Sequence, residues 1–136
     1  MPYINVRTTA APDAALSTRL ACAVGELTRL HLGKDPSVTA VSIDYVDAQH
    51  WFIGGRSVAD ARTTTYWLDI KVTDGTNTKQ EMAAYLAAIH AAMADTLGAV
   101  SDISYIRVDS VPAPCWGFGG KSQEFRFIAG KLAKAA

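Results

Sequence analysis

The stretch Pro2-Tyr3-Ile4-Asn5-Val6-Arg7-Thr8-Thr9 has a counterpart in Tyr66-Trp67-Leu68-Asp69-Ile70-Lys71-Val72-Thr73, which lies 64 positions later. Apolar and polar residues alternate through much of both stretches, and this two-residue period predicts a β-strand covered on one face. A second pair, Trp51-Phe52-Ile53-Gly54-Gly55 and Trp116-Gly117-Phe118-Gly119-Gly120, recurs at an offset of 65 residues. One structural unit therefore occurs twice. We predict two units, at about residues 1–63 and 64–136, within one domain.

A helix is predicted after the first strand of each unit. Spacings of three and four positions place one set of apolar residues on a single helix face: Leu16, Leu20, Val24, Leu27 and Leu30. The second unit has similar spacing at Met82, Leu86, Ile89, Met93 and Leu97. We expect a helix of about 20 residues at both places.

The ends of these helices carry recognisable signals. Pro12 suits the first turn of the first helix, and Gly33 suits a left-handed residue that ends it. Thr78 and Glu81 match a capping box ahead of the second helix, and Gly98 can end it. Both helices therefore have predicted boundaries.

Residues 38–46 and 103–108 are predicted to be the second strand of each unit, because apolar and polar residues partly alternate there. A strand, a helix and a second strand form a right-handed crossover with parallel strands. Two such units can share a four-stranded sheet with both helices on one face, so we predict an α/β fold. The other sheet face would be bare and apolar in a monomer, and we expect a homotrimer to bury it.

The composition excludes several classes of partner. The chain has 136 residues with 13 basic and 13 acidic side chains, and it lacks the basic run that nucleic acid or an anionic membrane surface would favour. No signal sequence is recognisable, and no apolar stretch approaches the roughly 20 residues that span a bilayer. We therefore expect a cytoplasmic protein. Cys22 and Cys115 lack metal-ligand neighbours, so we expect reduced thiols without a disulfide or a zinc site.

Pro2 is the strongest candidate for chemistry. If an aminopeptidase removes Met1, Pro2 presents a secondary amine on a fixed ring. An α-amino group titrates at about pH 7.7–8.0, and burial or a nearby cation lowers its pKa, so it can be a free base at neutral pH. Taken alone, Met-Pro is also compatible with a chance occurrence.

These features together resemble the tautomerase superfamily over nearly the whole chain. The resemblance rests on Pro2 opening a strand, on Gly33-Lys34-Asp35-Pro36, on Ala40-Val41-Ser42-Ile43, on Phe52-Ile53-Gly54-Gly55 and on the second unit. Members with one unit, such as 4-oxalocrotonate tautomerase, form hexamers. Members with two units form trimers, and they include macrophage migration inhibitory factor, malonate semialdehyde decarboxylase and cis-3-chloroacrylic acid dehalogenase.

The resemblance implies a keto–enol tautomerase that acts on a small, anionic 2-keto or 2-hydroxy-dienoic acid, with Pro2 as general base. Such a reaction needs no metal and no organic cofactor, so we expect neither. It also implies substrate contacts at Lys34, Ile70, Tyr105, Arg107, Trp116 and Phe118. A cation at Lys34 would depress the pKa of the proline and attract a carboxylate. The alternative for Lys34 is a solvated lysine near a helix C-terminus.

Tyr105 and Arg107 are predicted to share one face of the fourth strand, because they alternate with Ile106 and Val108. In macrophage migration inhibitory factor a tyrosine and an amide at matching positions reach the proline of the neighbouring subunit. Arg107 in place of the amide could grip a carboxylate bidentately. The alternative is an ion pair with Asp44 or Asp109.

The aromatic segment around Trp116 and Phe118 looks like that of malonate semialdehyde decarboxylase, and Phe125 follows it. These rings could keep the substrate pocket dry, or they could pack at a subunit interface. Both roles stay open at this point.

Departures from the family limit what the resemblance carries. The short members have an arginine early in the first helix and another at the second strand, whereas this chain has Ala11-Pro12 and Ala40 in those regions. The dehalogenase and the decarboxylase have two arginines after the third strand, where this chain has Val72-Thr73-Asp74-Gly75-Thr76. The water-activating glutamate of the dehalogenase falls near Phe118, so hydration and dehalogenation are disfavoured. The alternatives are a decarboxylase or hydratase/dehalogenase of a small three-carbon acid, and a non-enzymatic trimeric binding protein.

Overall fold

The computed structural model describes residues 1–136 and contains the predicted strand-helix-strand order twice. The first unit consists of β1 (Tyr3–Thr8), α1 (Ala14–Leu32), β2 (Ala40–Tyr45), a hairpin of β3 (Phe52–Ile53) and β4 (Arg56–Ser57), and the short helix α2 (Val58–Ala61). The second unit consists of β5 (Tyr66–Thr73), α3 (Lys79–Leu97), β6 (Tyr105–Val111), a hairpin of β7 (Gly117–Phe118) and β8 (Lys121–Ser122), and α4 (Gln123–Ala135). None of the helices is long and apolar enough to cross a bilayer.

Both units contribute to one four-stranded sheet, in the order β2-β1-β5-β6. Within each unit the two strands run parallel, as a helical crossover requires. The units join through the antiparallel pair β1 and β5, in which Ile4 lies opposite Ile70. The predicted α/β architecture is confirmed.

The core lies between the sheet and the helices. It is formed by alternate residues of the central strands, including Ile4, Val6, Leu68, Ile70 and Val72, and by one stripe on each of α1 and α3. All five of these side chains are essentially inaccessible to solvent. The alternation in the sequence therefore records which strand face meets the helices.

The helix stripes differ in part from the predicted ones. Leu16, Leu20 and Val24 are buried as expected, but Leu30 is 58% exposed, and the stripe continues through Thr28 and Leu32. A four-residue step advances 400° around an α-helix, so a stripe with this step drifts and leaves Leu30 outside it. In α3 the same step buries Tyr85, Ile89 and Met93, while Leu86 is 38% exposed.

The boundaries of the helices follow their capping residues. The first turn of α1 does not include Pro12, because Asp13 is the N-cap and its carboxylate accepts a hydrogen bond from the Ala15 N–H at 3.2 Å. Gly33 ends α1 in the left-handed conformation, with φ at 66°. The capping box of Thr78 and Glu81 and the helix end at Gly98 are confirmed.

The sheet face away from the helices is polar, so the prediction of an apolar face is wrong. Each of three rows across the sheet has one cation and one carboxylate, and the pairs are Lys71 with Asp109, Arg107 with Asp69, and Arg7 with Asp44. Neighbouring groups also hydrogen-bond across this face, as Asn5 does with Asp44 at 2.9 Å. The face satisfies much of its own polarity within one chain.

The two hairpins repeat in detail. Each turns through a Gly-Gly pair with positive φ at both residues, as a two-residue turn of this hand requires. The Val58 N–H donates to the Trp51 carbonyl at 2.8 Å, and the Gln123 N–H donates to the Trp116 carbonyl at 2.9 Å. A serine then caps the helix that follows each hairpin. The two repeated Gly-Gly stretches of the sequence therefore form two equivalent hairpins.

Candidate active site

Pro2 is buried at the start of β1, where its carbonyl oxygen accepts a hydrogen bond from the Ala40 N–H at 3.2 Å. This bond ties the start of the chain to β2. Met1, which precedes it, is partly buried and lines a cavity of about 560 Å³. The beginning of the chain therefore borders a space large enough for a small organic molecule.

The cavity is lined by segments from both units. They are Met1 and Lys34 from the first unit, the loop Thr73-Asp74-Gly75-Thr76, Ala113, and the α4 residues Gln123, Glu124, Arg126 and Phe127. Lys34 and Arg126 are partly buried, whereas Asp74 and Glu124 are exposed. The two cations lie deeper in the site than the two carboxylates.

Lys34 is positioned by the end of α1, since it follows the left-handed Gly33 directly. Its Nζ donates a hydrogen bond to the Thr76 Oγ1 at 2.9 Å. Burial lowers the pKa of Lys34, and the Glu81 carboxylate partly opposes that effect. Burial also lowers the pKa of the amine on Met1, and the Lys34 charge lowers it further while Asp35 opposes. An amine in this position loses its proton more readily than an exposed one.

Arg126 approaches the cavity from α4 and is held by Phe118. Its Nη2 donates to the Phe118 carbonyl oxygen at 3.0 Å, and its guanidinium carbon lies 3.7 Å from the centre of the Phe118 ring. Such a cation–π contact restricts the guanidinium without neutralising it. The β7–β8 hairpin therefore sets where this charge lies.

Trp116 and Phe118 do not line this cavity within one chain, so their direct contact with substrate stays a prediction. Trp116 contacts Gln123 through its carbonyl oxygen, and Phe118 holds Arg126. They support two residues that do line the cavity.

The structure contradicts the predicted substrate contact of Ile70. Its side chain is 0% exposed within the core between the sheet and the helices, opposite Ile4. A side chain enclosed in this way cannot meet a ligand without disruption of the core. We remove Ile70 from the set of candidate site residues.

Tyr105 and Arg107 share the open sheet face, as predicted, but they lie away from Pro2. Tyr105 pairs with Trp67, and Arg107 pairs with Asp69, whereas the Pro2 end of the sheet is formed by Ala40, Thr73 and Val111. From Tyr105 to Val111 the strand extends about 20 Å at roughly 3.3 Å per residue. One chain does not bring Tyr105 to its own Pro2.

Arg107 already has a partner. Its Nε donates to the Asp109 Oδ1 at 2.5 Å, which forms one of the two ion pairs considered from the sequence. The ring of Tyr105 packs at a tilt against Trp67, with the ring centres 6.4 Å apart. Both side chains are exposed.

The sequence-based prediction missed the contribution of α4. Gln123 and Arg126 lie in its first turn, where the Ser122 side chain accepts a hydrogen bond from the Phe125 N–H at 3.0 Å. A serine three residues ahead of that amide is a capping signal that could have predicted the helix. Its proximity to Met1 depends on tertiary packing and has no signal in the local sequence.

Comparison with known proteins identifies the family. No family model matches the chain. Over 63 residues, however, it is 40% identical to probable tautomerase K2 of Dickeya dadantii (strain 3937), in an alignment that spans 46% of this chain and 94% of that protein. The chain belongs to the tautomerase superfamily. The aligned length is close to that of one β-α-β unit, which matches a superfamily whose short members contain a single unit.

Solved structures agree with this tautomerase fold. Pt0534, inactivated by 2-oxo-3-pentynoate, superposes with a TM-score of 0.78 at 17% identity over 90% of this chain and 96% of that chain. A fused 4-OT, described as a symmetric trimer, superposes with a TM-score of 0.77 at 17% identity over 91% of this chain and 98% of that chain. At identities this low, the superpositions establish the fold of this tautomerase superfamily member and nothing further.

Proposed function

We propose that the protein is a keto–enol tautomerase of a small, anionic carbonyl acid, with the Pro2 amine as general base once Met1 is removed. Membership of the tautomerase superfamily supports this reaction class. The observation that carries the assignment of the site is the buried start of the chain beside the cavity and Lys34.

The geometry around Pro2 supports its role as the base. The Pro2 nitrogen is bonded to Met1, which borders the cavity, so removal of Met1 would leave the amine next to the vacated space. The hydrogen bond from the Ala40 N–H to the Pro2 carbonyl would keep the ring in place. A general base must be held within hydrogen-bonding reach of the proton that it removes.

The electrostatics support a neutral amine. Burial and the Lys34 charge lower the pKa of the chain-terminal amine, and both causes would act on Pro2 as well, because it lies at the same place. A lowered pKa increases the fraction of the secondary amine that is unprotonated at a given pH and has a lone pair available.

In the proposed reaction, the Pro2 nitrogen takes a proton from the carbon next to the substrate carbonyl. The electrons of that C–H bond form the enol double bond, and the carbonyl oxygen gains negative charge. Lys34 stabilises that oxygen or the adjacent carboxylate. The protonated amine then returns its proton to the enolate oxygen, or to the distal carbon when the substrate is a dienoic acid, so the base is regenerated.

We also propose a homotrimer in which a neighbouring copy supplies Tyr105 and Arg107. The fused 4-OT with the same fold is a symmetric trimer. In its own chain Tyr105 lies at the opposite end of the sheet from Pro2, and Arg107 lies in the middle row opposite Asp69. We therefore expect a neighbouring copy to bring these exposed side chains to the Pro2 site. Arg107 would reach that site while bound to Asp109.

The deciding experiment compares three proteins of verified mass: the form that begins at Pro2, the form that retains Met1, and Pro2→Ala. With phenylenolpyruvate as substrate, Pro2→Ala should lose about 10²-fold or more in kcat/KM, the contribution of a positioned base. The Met1-retained form should be inactive, because an amide nitrogen has no basic lone pair. Equal turnover by all three would refute the role of Pro2.

A chemical probe tests the same site independently. 2-Oxo-3-pentynoate inactivates Pt0534, and its alkyne conjugated to a ketone can accept a nucleophilic amine. Treatment of the mature protein should add one probe mass to the peptide that begins at Pro2, whereas the Met1-retained form should stay unmodified there. Modification at another residue in the mature protein would contradict the proposal.

A further inference from the structure

Arg126 and Gln123 carry donors that lack acceptors. The Arg126 Nε and the Gln123 Nε2 are buried without a hydrogen-bond partner, and both residues line the cavity beside Met1. The Trp116 Nε1 is the third buried atom without a hydrogen-bond partner, and Trp116 directly precedes the β7–β8 hairpin. Native proteins seldom bury donors without partners, because each such donor loses its hydrogen bond to water and forms no other.

The three unpartnered groups are all donors, so the partner they lack is an acceptor. The nearby carboxylates do not fill that role: Asp74 and Glu124 are exposed and form no ion pair with Arg126. Arg126 itself is restrained from one side only, by the ring and carbonyl oxygen of Phe118. A guanidinium with a fixed orientation and an unused N–H suits the two oxygens of a carboxylate.

Arg107 differs from Arg126 in this respect. The Arg107 Nε is already bonded to Asp109, and its side chain is exposed on the open sheet face. A carboxylate ligand would have to compete there with Asp109 and with water. Arg126 belongs to the same chain as the Pro2 site, is partly buried, and has no carboxylate partner.

We propose that Arg126, assisted by Gln123, determines specificity by binding the carboxylate of the substrate at the Pro2 site. This proposal rests on the proposed function, which places the substrate beside Pro2. It assigns the binding of the substrate carboxylate to a residue of α4 instead of a residue of β6. Phe118 is then a positioning residue, since it acts through Arg126.

The first test measures binding without catalysis. Cinnamate, an unreactive carboxylate, and cinnamamide, its neutral counterpart, are titrated by calorimetry into the wild type, Arg126→Gln, Arg126→Lys and the control Arg19→Gln. The wild type should prefer cinnamate, and Arg126→Gln should weaken cinnamate binding about 10- to 100-fold, as expected when a charge-assisted hydrogen bond is lost. Cinnamamide binding should be unchanged. Arg126→Lys should restore part of the preference, and Arg19→Gln, which removes an exposed arginine on α1, should retain it.

The second test uses turnover of phenylenolpyruvate and of its methyl ester. Arg126→Gln should raise KM for the acid by a similar factor, with little change in kcat, and should leave KM for the ester unchanged. Equal losses for acid and ester, or no preference for cinnamate in the wild type, would overturn the proposal. Loss of turnover in every protein with the cinnamate preference intact would instead refute the tautomerase assignment and leave the carboxylate site standing. Circular dichroism on Arg126→Lys and Arg126→Gln checks that α4 is retained.

Discussion

The backbone of Gly117 lies so close to Lys121 that a β-carbon on Gly117 would be 1.9 Å from the Lys121 carbonyl oxygen. They lie on the two strands of the β7–β8 hairpin, in which Gly117 pairs with Ser122 and Phe118 pairs with Lys121. Phe118 in turn sets the position of Arg126. The first hairpin has Phe52 at the equivalent place. The second hairpin is closed more tightly than its counterpart, and only glycine permits it.

Gly117→Ala should open this hairpin and displace Arg126. A displacement of about 1 Å in a positioning group can cost about 10²-fold in rate, so we expect a fall of that order in kcat/KM for a carboxylated substrate. The midpoint of thermal unfolding should change little, because the hairpin and α4 lie outside the main core.

Gly130→Ala is the matched control for that variant. Gly130 lies within α4 with open space around its α-carbon, and alanine is the better helix former. This variant should keep full activity. If Gly117→Ala is equally active, the position of Arg126 does not depend on the tight hairpin.

Lys34→Gln should move the pH profile to higher pH. The Lys34 charge lowers the pKa of the amine at the start of the chain, so its removal favours the protonated amine and raises that pKa. The rising limb of kcat/KM should therefore move to higher pH, because the amine then loses its proton only at a higher pH. Lys79→Gln, an exposed lysine on α3, should leave the midpoint unchanged. A shift to lower pH would contradict this electrostatic coupling.

Ile70 should behave as a core residue. Ile70→Val should lower the free energy of unfolding by about 0.5–1.5 kcal/mol and Ile70→Ala by about 2–5 kcal/mol, as methyl and larger deletions do in packed cores. Denaturant unfolding measures both values. KM at a temperature where the variants are folded should equal that of the wild type. A raised KM for Ile70→Val without a loss of stability would return Ile70 to the site.

Mixed assemblies should reveal whether two chains share one site. Pro2→Ala lacks the base, and a Tyr105→Phe, Arg107→Gln double variant lacks the groups that a neighbour is proposed to supply. When equal amounts are dissociated and reassembled together, about a quarter of the sites should combine an intact Pro2 with an intact neighbour, as random association of a ring predicts. Activity should therefore rise above that of either protein alone. If the reassembled mixture is no more active than the two proteins assembled separately and then combined, each site lies within one chain.

The sequence predicted the architecture well because the fold depends on local periodicity and on end signals. The alternation around Ile4 and Leu68 predicted the strand faces, and Gly33 and the Thr78 capping box predicted helix ends. The exposure of Leu30 was not predicted, because spacings of three and of four residues both fit one helix face. Packing against the rest of the fold decides which of these residues are buried. The polarity of the open sheet face was not predicted, although Asn5, Asp69 and Arg107 are polar or charged residues of the predicted strands.

The site was predicted only in part, for a related reason. Pro2 and Lys34 were identified because one opens a strand and the other follows a helix end, and these positions are local. Arg126 was missed because its place beside Met1 depends on α4 folding back across the chain start. Arg107 was assigned to the correct face of β6, but its ion pair with Asp109 depends on side-chain geometry that a strand pattern does not contain.

The balance of charge on the open sheet face has a consequence for behaviour in acid. Three cations and three carboxylates share this face, at Arg7, Lys71 and Arg107 and at Asp44, Asp69 and Asp109. Burial alone would raise the pKa of Asp69, but hydrogen bonds from Lys71 and Trp67 outweigh that effect and lower it, so this carboxylate is among the last to be protonated. Protonation of carboxylates in acid therefore leaves this face with an excess of positive charge. Sheets from several copies packed around this face would then repel one another, so acid should separate the subunits before it unfolds the helices.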